Sequence, residues 1–398
     1  MNRPPAFLIL ADESAAWKIA GLPQLDRLVL SLNEFAETIE PSAVIDAFIF
    51  WRPDIPSSTH WLPRHPKINR VRLSESIKSI PNDVNLLDTR LFVHRHGFAE
   101  FFKEVTIPKV EAPISNSPDS WPQLYGSLKT ASRSRSTRDA QPVWQYVDNF
   151  AGIRACEKAF LRRAGKPQDG IVSRFINRPI SRIISRVLLR YPITPGAWTL
   201  SMLILPVLAF FVLLPGDYFA FLFGVTIFQV YSILDGCDGE IARAKYLESA
   251  RGARLDTWTD IFGGFFFILG LGVGLYHKHF PSPNAWHYLA QAIGCIVLIG
   301  VNEWRLRSRW SKTNHSTNAL VPTLYPRHHE LIHHSGILWL GEELVWWLVQ
   351  FTKRDISIFV FFLLAVVARP EWIIPLWIAA TAAVLMLAEI ARWKRTRS

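Results

Sequence analysis

The rhythm of apolar and polar positions changes twice along this chain. From residue 1 to about 110, short apolar runs alternate with amphipathic stretches. Residues 6–11 and 44–51 read as strands, 22–35 as an amphipathic helix, and 68–73 and 84–93 as further strand candidates. Alternation of this kind predicts a soluble, layered α/β domain. Residues 111–165 lose the pattern. Pro113, Pro118, Pro122 and the run Ser132-Arg-Ser-Arg-Ser-Thr-Arg138 have the composition of a linker, followed by a connecting helix.

From 166 to 398 the chain becomes a membrane sequence. Arginine recurs at every fourth position (Arg174, Arg178, Arg182, Arg186, Arg190) among apolar residues such as Phe175, Ile176, Ile180, Ile183 and Val187. This predicts an interfacial amphipathic helix with its arginines toward lipid headgroups, or with some of them on a substrate phosphate. Six apolar spans follow, at about 199–214, 218–234, 261–276, 286–301, 356–368 and 372–391, several shorter than the roughly 20 residues a bilayer requires. Basic clusters follow spans two, four and six: Arg243/Lys245/Arg251/Arg254, Arg305/Arg307/Arg309/Lys312 and Arg392/Lys394/Arg395/Arg397. By the positive-inside rule both termini, and whatever lies between spans two and three, face the cytoplasm of a multi-pass cell-membrane protein. Gly263, Gly264, Gly270, Gly272 and Gly274 in span three allow close helix packing.

Composition sharpens this picture. The chain is 49% hydrophobic yet carries a net charge of +11, a balance suited to anionic lipid or phosphorylated substrates. Nucleic acid is not expected, because the basic residues flank apolar spans. Cys156, Cys237 and Cys295 are scattered and imply neither a disulfide framework nor a metal site. The short run 6–11, followed at once by Asp12, does not have the pattern of a signal peptide.

The chemistry concentrates between spans two and three. Asp235, Asp238 and Ala242 share one helical face, and Asp256 and Asp260 share another. Unpaired charge beside an apolar span is costly and marks function. If the two faces meet, four carboxylates converge, and an all-oxygen donor set suits Mg²⁺ or Mn²⁺. Gly239 and Gly252 would permit close approach of a ligand, and Arg243 could pair with a phosphate.

The spacing D-x2-D-G-x2-A-R-x8-G-x3-D-x3-D, from Asp235 to Asp260, resembles the signature of the CDP-alcohol phosphotransferase family, and its eight fixed positions are all present. The resemblance implies a six-helix, all-α membrane domain and a divalent-metal site. The activity implied is transfer of a phospho-alcohol from a CDP-linked donor to an acceptor hydroxyl, with release of CMP, in phospholipid or inositol-phosphodiester synthesis. It implies two ions held by Asp235, Asp238, Asp256 and Asp260, with Asp260 also the base. Gly239, Ala242 and Gly252 would line the cytidine site and Arg243 would meet the phosphates. A homodimer is expected, with at least one lipid substrate. Residues 166–182 also resemble the juxtamembrane segment of a fused subgroup that makes inositol phosphodiesters. One departure is Thr194-Pro195-Gly196, where family members often carry Asn after the Thr-Pro pair.

The N-terminal pattern Ile19-Ala-Gly-Leu-Pro23, then Leu25-Asp-Arg27, resembles a worn nucleotidyltransferase domain. No glycine-rich phosphate loop follows its first strand, so no nucleotidyl transfer is expected of it. Two further functions are weighed. His329-Glu330-Leu-Ile-His333 fits the zinc-protease pattern, and Leu234-Asp235-Gly236 could add a third ligand. That motif lies in a polar segment, however, and the longer motif already accounts for Asp235. A non-catalytic scaffold that binds CDP-alcohols would retain the same residues.

Overall fold

The computed structural model describes residues 5–40, 42–76, 80–81, 83–110, 119–132, 143–163, 169–310, 339, 341–351 and 353–395. They form two compact units: residues 1–163 with 244–246, and residues 164–243 with 247–398.

The first unit is the expected α/β domain. Its elements are β1 (Phe7–Ala11), β2 (Lys18–Ile19), β3 (Leu22–Pro23), α1 (Gln24–Ile39), β4 (Ile45–Trp51), β5 (Val71–Ser74) and β6 (Val84–Asp88). These are followed by β7 (Leu91–Val93), α2 (Phe98–Glu104), β8 (Lys109–Val110), α3 (Ser120–Ser132), β9 (Trp144–Tyr146) and α4 (Phe150–Arg163). The main sheet has the order β5-β4-β1-β6-β8, parallel except for β8. Its inner strands β4, β1 and β6 are buried on both faces, as a parallel sheet requires. Phe7, Ile9, Ala47 and Ile49 pack with Leu28 and Leu32 of α1, whereas Leu8, Leu10, Phe48 and Leu86 pack with Trp121 and Leu128 of α3. The segment expected to be a linker therefore contributes α3, β9 and α4 to this unit, and β9 pairs with β7.

Ligands of open α/β sheets bind beyond the carboxyl ends of the strands. Here the chain after β1 is a short 3₁₀ turn, Glu13–Ala16, capped by Asp12, whose carboxylate accepts from the Ser14 amide at 2.8 Å. Arg90, just past β6, pairs with Asp12 at 2.9 Å and with Glu13 at 2.7 Å. Burial, and then the Asp12 charge, push Asp88 up to about 7. In the worn motif, Ala20 and Gly21 adopt positive φ between β2 and β3. Arg27 is fully buried, donating to the carbonyls of Ile19 (2.7 Å) and Ala20 (3.2 Å), with its guanidinium 4.9 Å from the centre of the Phe160 ring. Its role there is structural.

The second unit is helical: α5 (Arg178–Leu188), α6 (Pro195–Met202), α7 (Ile204–Leu213), α8 (Tyr218–Ala244), α9 (Ala250–His279), α10 (Trp286–Trp310), α11 (Glu342–Phe351), α12 (Arg354–Val366) and α13 (Ile373–Arg395). Among the described residues, four helical segments are long and apolar enough to cross a membrane: Pro195–Leu213, Tyr218–Ala244, Ala250–His279 and Pro370–Leu387. The first is broken at Leu203, because Pro206 has no amide to return to Met202. Helices stand where the other two expected spans lie, but neither is both long and apolar enough. α10 carries Glu303, Arg305, Arg307 and Arg309 in its last turns. α12 has 13 residues, about 20 Å at 1.5 Å per residue against a hydrocarbon core of roughly 30 Å. The cluster His328 to His334 lies outside the described residues. The three cysteines are free and buried.

In the arginine-rich helix the five arginines do not share one environment: Arg178 is buried, Arg182 and Arg186 are half-buried, and Arg174 and Arg190 are exposed. A π-helical turn, Ser173–Asn177, leads into α5. Its exposed face is apolar (Phe175, Ile180, Ile183, Val187), while Arg178, Ser181 and Ser185 are buried. Arg178 pairs with Asp169 at 2.8 Å and with Glu240 of α8 at 3.1 Å, and Ser181 donates to the same Glu240 oxygen at 2.8 Å. Burial pulls the Arg178 pKa down, but hydrogen bonding and charge from Asp169, then from Glu240, raise it overall. A strict four-residue repeat drifts around a helix of 3.6 residues per turn, so within the series only Arg178 turns inward toward a buried acid.

Two outcomes test this packing. In α9, a Cβ on Gly270 would lie 2.8 Å from Phe210 Cα and 3.0 Å from its carbonyl oxygen, whereas nothing lies within 4 Å of one on Gly294. Gly270→Ala is expected to cost about 1–3 kcal/mol, and Gly294→Ala to be neutral or to gain up to about 1 kcal/mol; equal melting temperatures for the two variants would contradict the close α7–α9 approach. Arg178→Met leaves Glu240 buried without its cation, with an expected cost of about 3–5 kcal/mol. The double variant Arg178→Met/Glu240→Leu should regain much of that loss in the same unfolding assay, and no recovery would count against the pair.

Candidate metal and phosphate site

The site is built on facing ends of α8 and α9. α8 carries Asp235, Asp238, Gly239, Ala242 and Arg243 in its last turns and ends as Tyr246 takes a positive φ. α9 begins at a capped N-terminus, with the Ser249 hydroxyl accepting from the Gly252 amide at 3.0 Å. Gly252 thus lies in the first turn, where a Cβ would stand 3.2 Å from that hydroxyl oxygen. Asp256 and Asp260 follow one and two turns further on.

Three of the four motif carboxylates come together. One oxygen each from Asp235, Asp238 and Asp256 lies within 4.8 Å of the others, and each residue is partly exposed. A hard, oxygen-only donor set of this size fits Mg²⁺ or Mn²⁺. Asp238 is oriented by α6: its Oδ2 accepts from the Thr199 hydroxyl at 2.7 Å, and its Oδ1 takes the Gly239 amide. On the same helix, the Trp198 indole donates to the Leu234 carbonyl at 3.1 Å, holding α6 against the start of the motif.

Asp260 has different company. The Tyr231 hydroxyl donates to its Oδ1 at 3.0 Å, and Arg354 of α12 forms a close ion pair with that oxygen. Its Oδ2 has no hydrogen-bond partner among the described residues. Arg354 also reaches Asp235 Oδ2 at 3.7 Å and lies 5.3 Å from the centre of the Tyr231 ring.

Arg243 folds back along α8. A Cβ on Gly239 would sit 3.1 Å from its Nη1, so the glycine makes room for the guanidinium rather than leaving an open surface. Its Nε and Nη2 are buried without hydrogen-bond partners among the described residues, an arrangement that suits an anion. The Ala242 carbonyl accepts from the Leu247 amide at 2.9 Å, closing the end of α8.

Three residues here are absent from the sequence reading: Thr199, Tyr231 and Arg354. Tyr231 precedes Asp235 by four residues and so shares its face, a signal within reach of periodicity. Arg354 stands just ahead of an apolar run, where a charge invites a question about its partner. Thr199 carries no such mark.

Comparison with known proteins agrees with this geometry. Residues 193–340 match the family model described as CDP-alcohol phosphatidyltransferase. Three similar curated proteins each bear the name bifunctional IPC transferase and DIPP synthase. That of Archaeoglobus fulgidus is 37% identical over 127 residues (32% of this chain, 25% of that protein), and that of Rubrobacter xylanophilus 40% over 131 (33% and 29%). That of Aquifex aeolicus is 33% identical over 133 residues (33% and 30%). The match thus spans less than a third of the length of these relatives. The matched segment, residues 193–340, contains the acidic cluster and Arg243.

Proposed function

We propose that this protein transfers a phospho-alcohol group from a CDP-linked donor to an acceptor hydroxyl, releasing CMP, at the cytoplasmic face of a membrane. The observation that carries this reading is the clustering of Asp235, Asp238 and Asp256 at the ends of α8 and α9 within the matched domain. The names of the relatives favour inositol-phosphodiester synthesis over other headgroup chemistry.

Asp235, Asp238 and Asp256 would hold Mg²⁺ or Mn²⁺, which when bound would offset the charge of the diphosphate and stabilise the departing CMP. Thr199 keeps Asp238 turned toward the cluster. Arg243 offers its unpaired N–H groups to the donor phosphates, with Gly239 making room for its guanidinium, and Ala242 and Gly252 would border the nucleotide. The acceptor oxygen bonds to the phosphorus of the phospho-alcohol as the bond from that phosphorus to the CMP oxygen breaks. Asp260 takes the hydroxyl proton on Oδ2, the oxygen left open by Tyr231 and Arg354.

The membrane part is read as six crossings, with α10 and α12 completing the bundle. α10 packs against both α9 and α13, which supports that arrangement. The apolar outer face of α5 would lie in the interface, and the assembly would be a homodimer. The first unit is read as a nucleotidyltransferase-like domain without that activity, since the residues beyond β1 and β6 are paired with one another and the loop after β1 has no glycines. Neither a zinc protease nor a non-catalytic scaffold finds support among the matched proteins.

Three assays test these readings. Asp256→Ala, or excess EDTA with the wild type, is expected to abolish CMP release, and Asp260→Asn to lower turnover by about 10²–10⁴; full turnover in EDTA would sink the metal assignment. CDP-inositol and CDP-diacylglycerol offered in parallel, with products read by mass spectrometry, identify the donor. The full chain given CTP and an alcohol phosphate is expected to release no pyrophosphate, and release dependent on the first unit would make the protein bifunctional.

A further inference from the structure

The acidic cluster contains a fifth charged group that the motif does not encode. Arg354 opens α12, and its Nη1 faces two of the four carboxylates, pairing with Asp260 Oδ1 and lying 3.7 Å from Asp235 Oδ2. The next residue helps to anchor it. Asp355 accepts from the Ser173 amide at 2.6 Å, and a Cβ on Gly170 would run into the Asp355 carboxylate. The turn from Gly170 to Ser173 thus seats the start of α12, and with it the guanidinium.

We propose that Arg354 is a positioning residue that serves as the built-in cation of the cluster. It lies between Asp260 and Asp235 and stands in place of the second divalent ion that the sequence leads one to expect. A second ion bridging Asp235 and Asp260 would have to lie beside a guanidinium already in contact with Asp260 and close to Asp235. Two cations so near one another repel strongly where little water screens them. Arginine does not escape by losing its proton, because it stays charged under all ordinary conditions. Tyr231 completes the arrangement: its hydroxyl donates to the same Asp260 oxygen that Arg354 occupies, and its ring lies beside the guanidinium. The carboxylate is thereby fixed through Oδ1, with Oδ2 left for proton transfer. That last step rests on the proposed transfer reaction; the number of ions does not, and it can be measured without any CDP-alcohol.

The experiment is a Mn²⁺ titration of the detergent-purified full chain, read by calorimetry and by electron paramagnetic resonance. One ion per chain is expected for the wild type, two for Arg354→Gln, and one for Arg354→Lys, which restores the charge. Two ions in the wild type would overturn the proposal without recourse to any variant. A folded Arg354→Gln protein that still binds one ion would overturn it as well. No bound ion in the wild type would remove the metal site itself, and this inference with it. Absence of CMP release with every donor tried would instead count against the proposed reaction while leaving the ion count to stand.

Discussion

Four carboxylates at the ends of apolar helices repel one another and lose hydration, so the arrangement persists only if positive charge or hydrogen-bond donors are built in around it. Much of the second unit reads as the answer to that constraint. Asp238 is held by Thr199, and Asp260 by Tyr231 and Arg354. Glu240, on the opposite side of α8, is balanced by Arg178 and Ser181. Donors therefore come from α5, α6 and α12 as well as from α8 itself. Asp235, Asp238 and Asp256 bring one oxygen each within 4.8 Å of one another, a spacing that could hold a cation.

This distribution explains why α8 and α9 must be held with so little play. A cluster with oxygens 4.8 Å apart tolerates little sliding of one helix past the other. Glycines set the distances on the α9 side. Gly270 lies against the Phe210 backbone, Gly272 against Ala292, and Gly274 against the Leu213 carbonyl. Phe228 and Phe267 stack with ring centres 4.1 Å apart in the core between α8 and α9. Small residues fix how closely the backbones approach and the aromatic pair fills what remains, so that packing far from the motif keeps the carboxylates in register.

How much of this was legible in the sequence differs by element, for physical reasons. β1 and β4 were readable because a strand buried on both faces is a mostly apolar run, interrupted in β4 only by Asp46, and such runs end sharply. The stretch 84–93, expected as one strand, is two: Asp88 accepts from the amides of Arg90 and Leu91 and turns the chain, an exchange that apolar periodicity does not register. α3 and β9 were hidden by the prolines and serines around them, whereas α4 lies where a connecting helix was expected. The convergence of Asp235, Asp238 and Asp256 followed from helical geometry once two helices were assumed to meet. Arg354 lies nearly a hundred residues beyond Asp260, and no local pattern links the two.

The arginine helix shows most clearly where a sequence pattern stops being informative. Its period is unmistakable, but two environments satisfy it equally well: a lipid headgroup layer, or a protein interior that supplies carboxylates. The choice depends on the balance between leaving Glu240 buried without a cation and leaving Phe175, Ile183 and Val187 exposed on the outer face. In a membrane interface the second has little cost, since lipid covers that face, whereas an unpaired buried carboxylate is destabilising in either setting. The helix therefore turns Arg178 inward. The charge that resembles a lipid anchor is used to neutralise the acid that follows Gly239 in the motif itself.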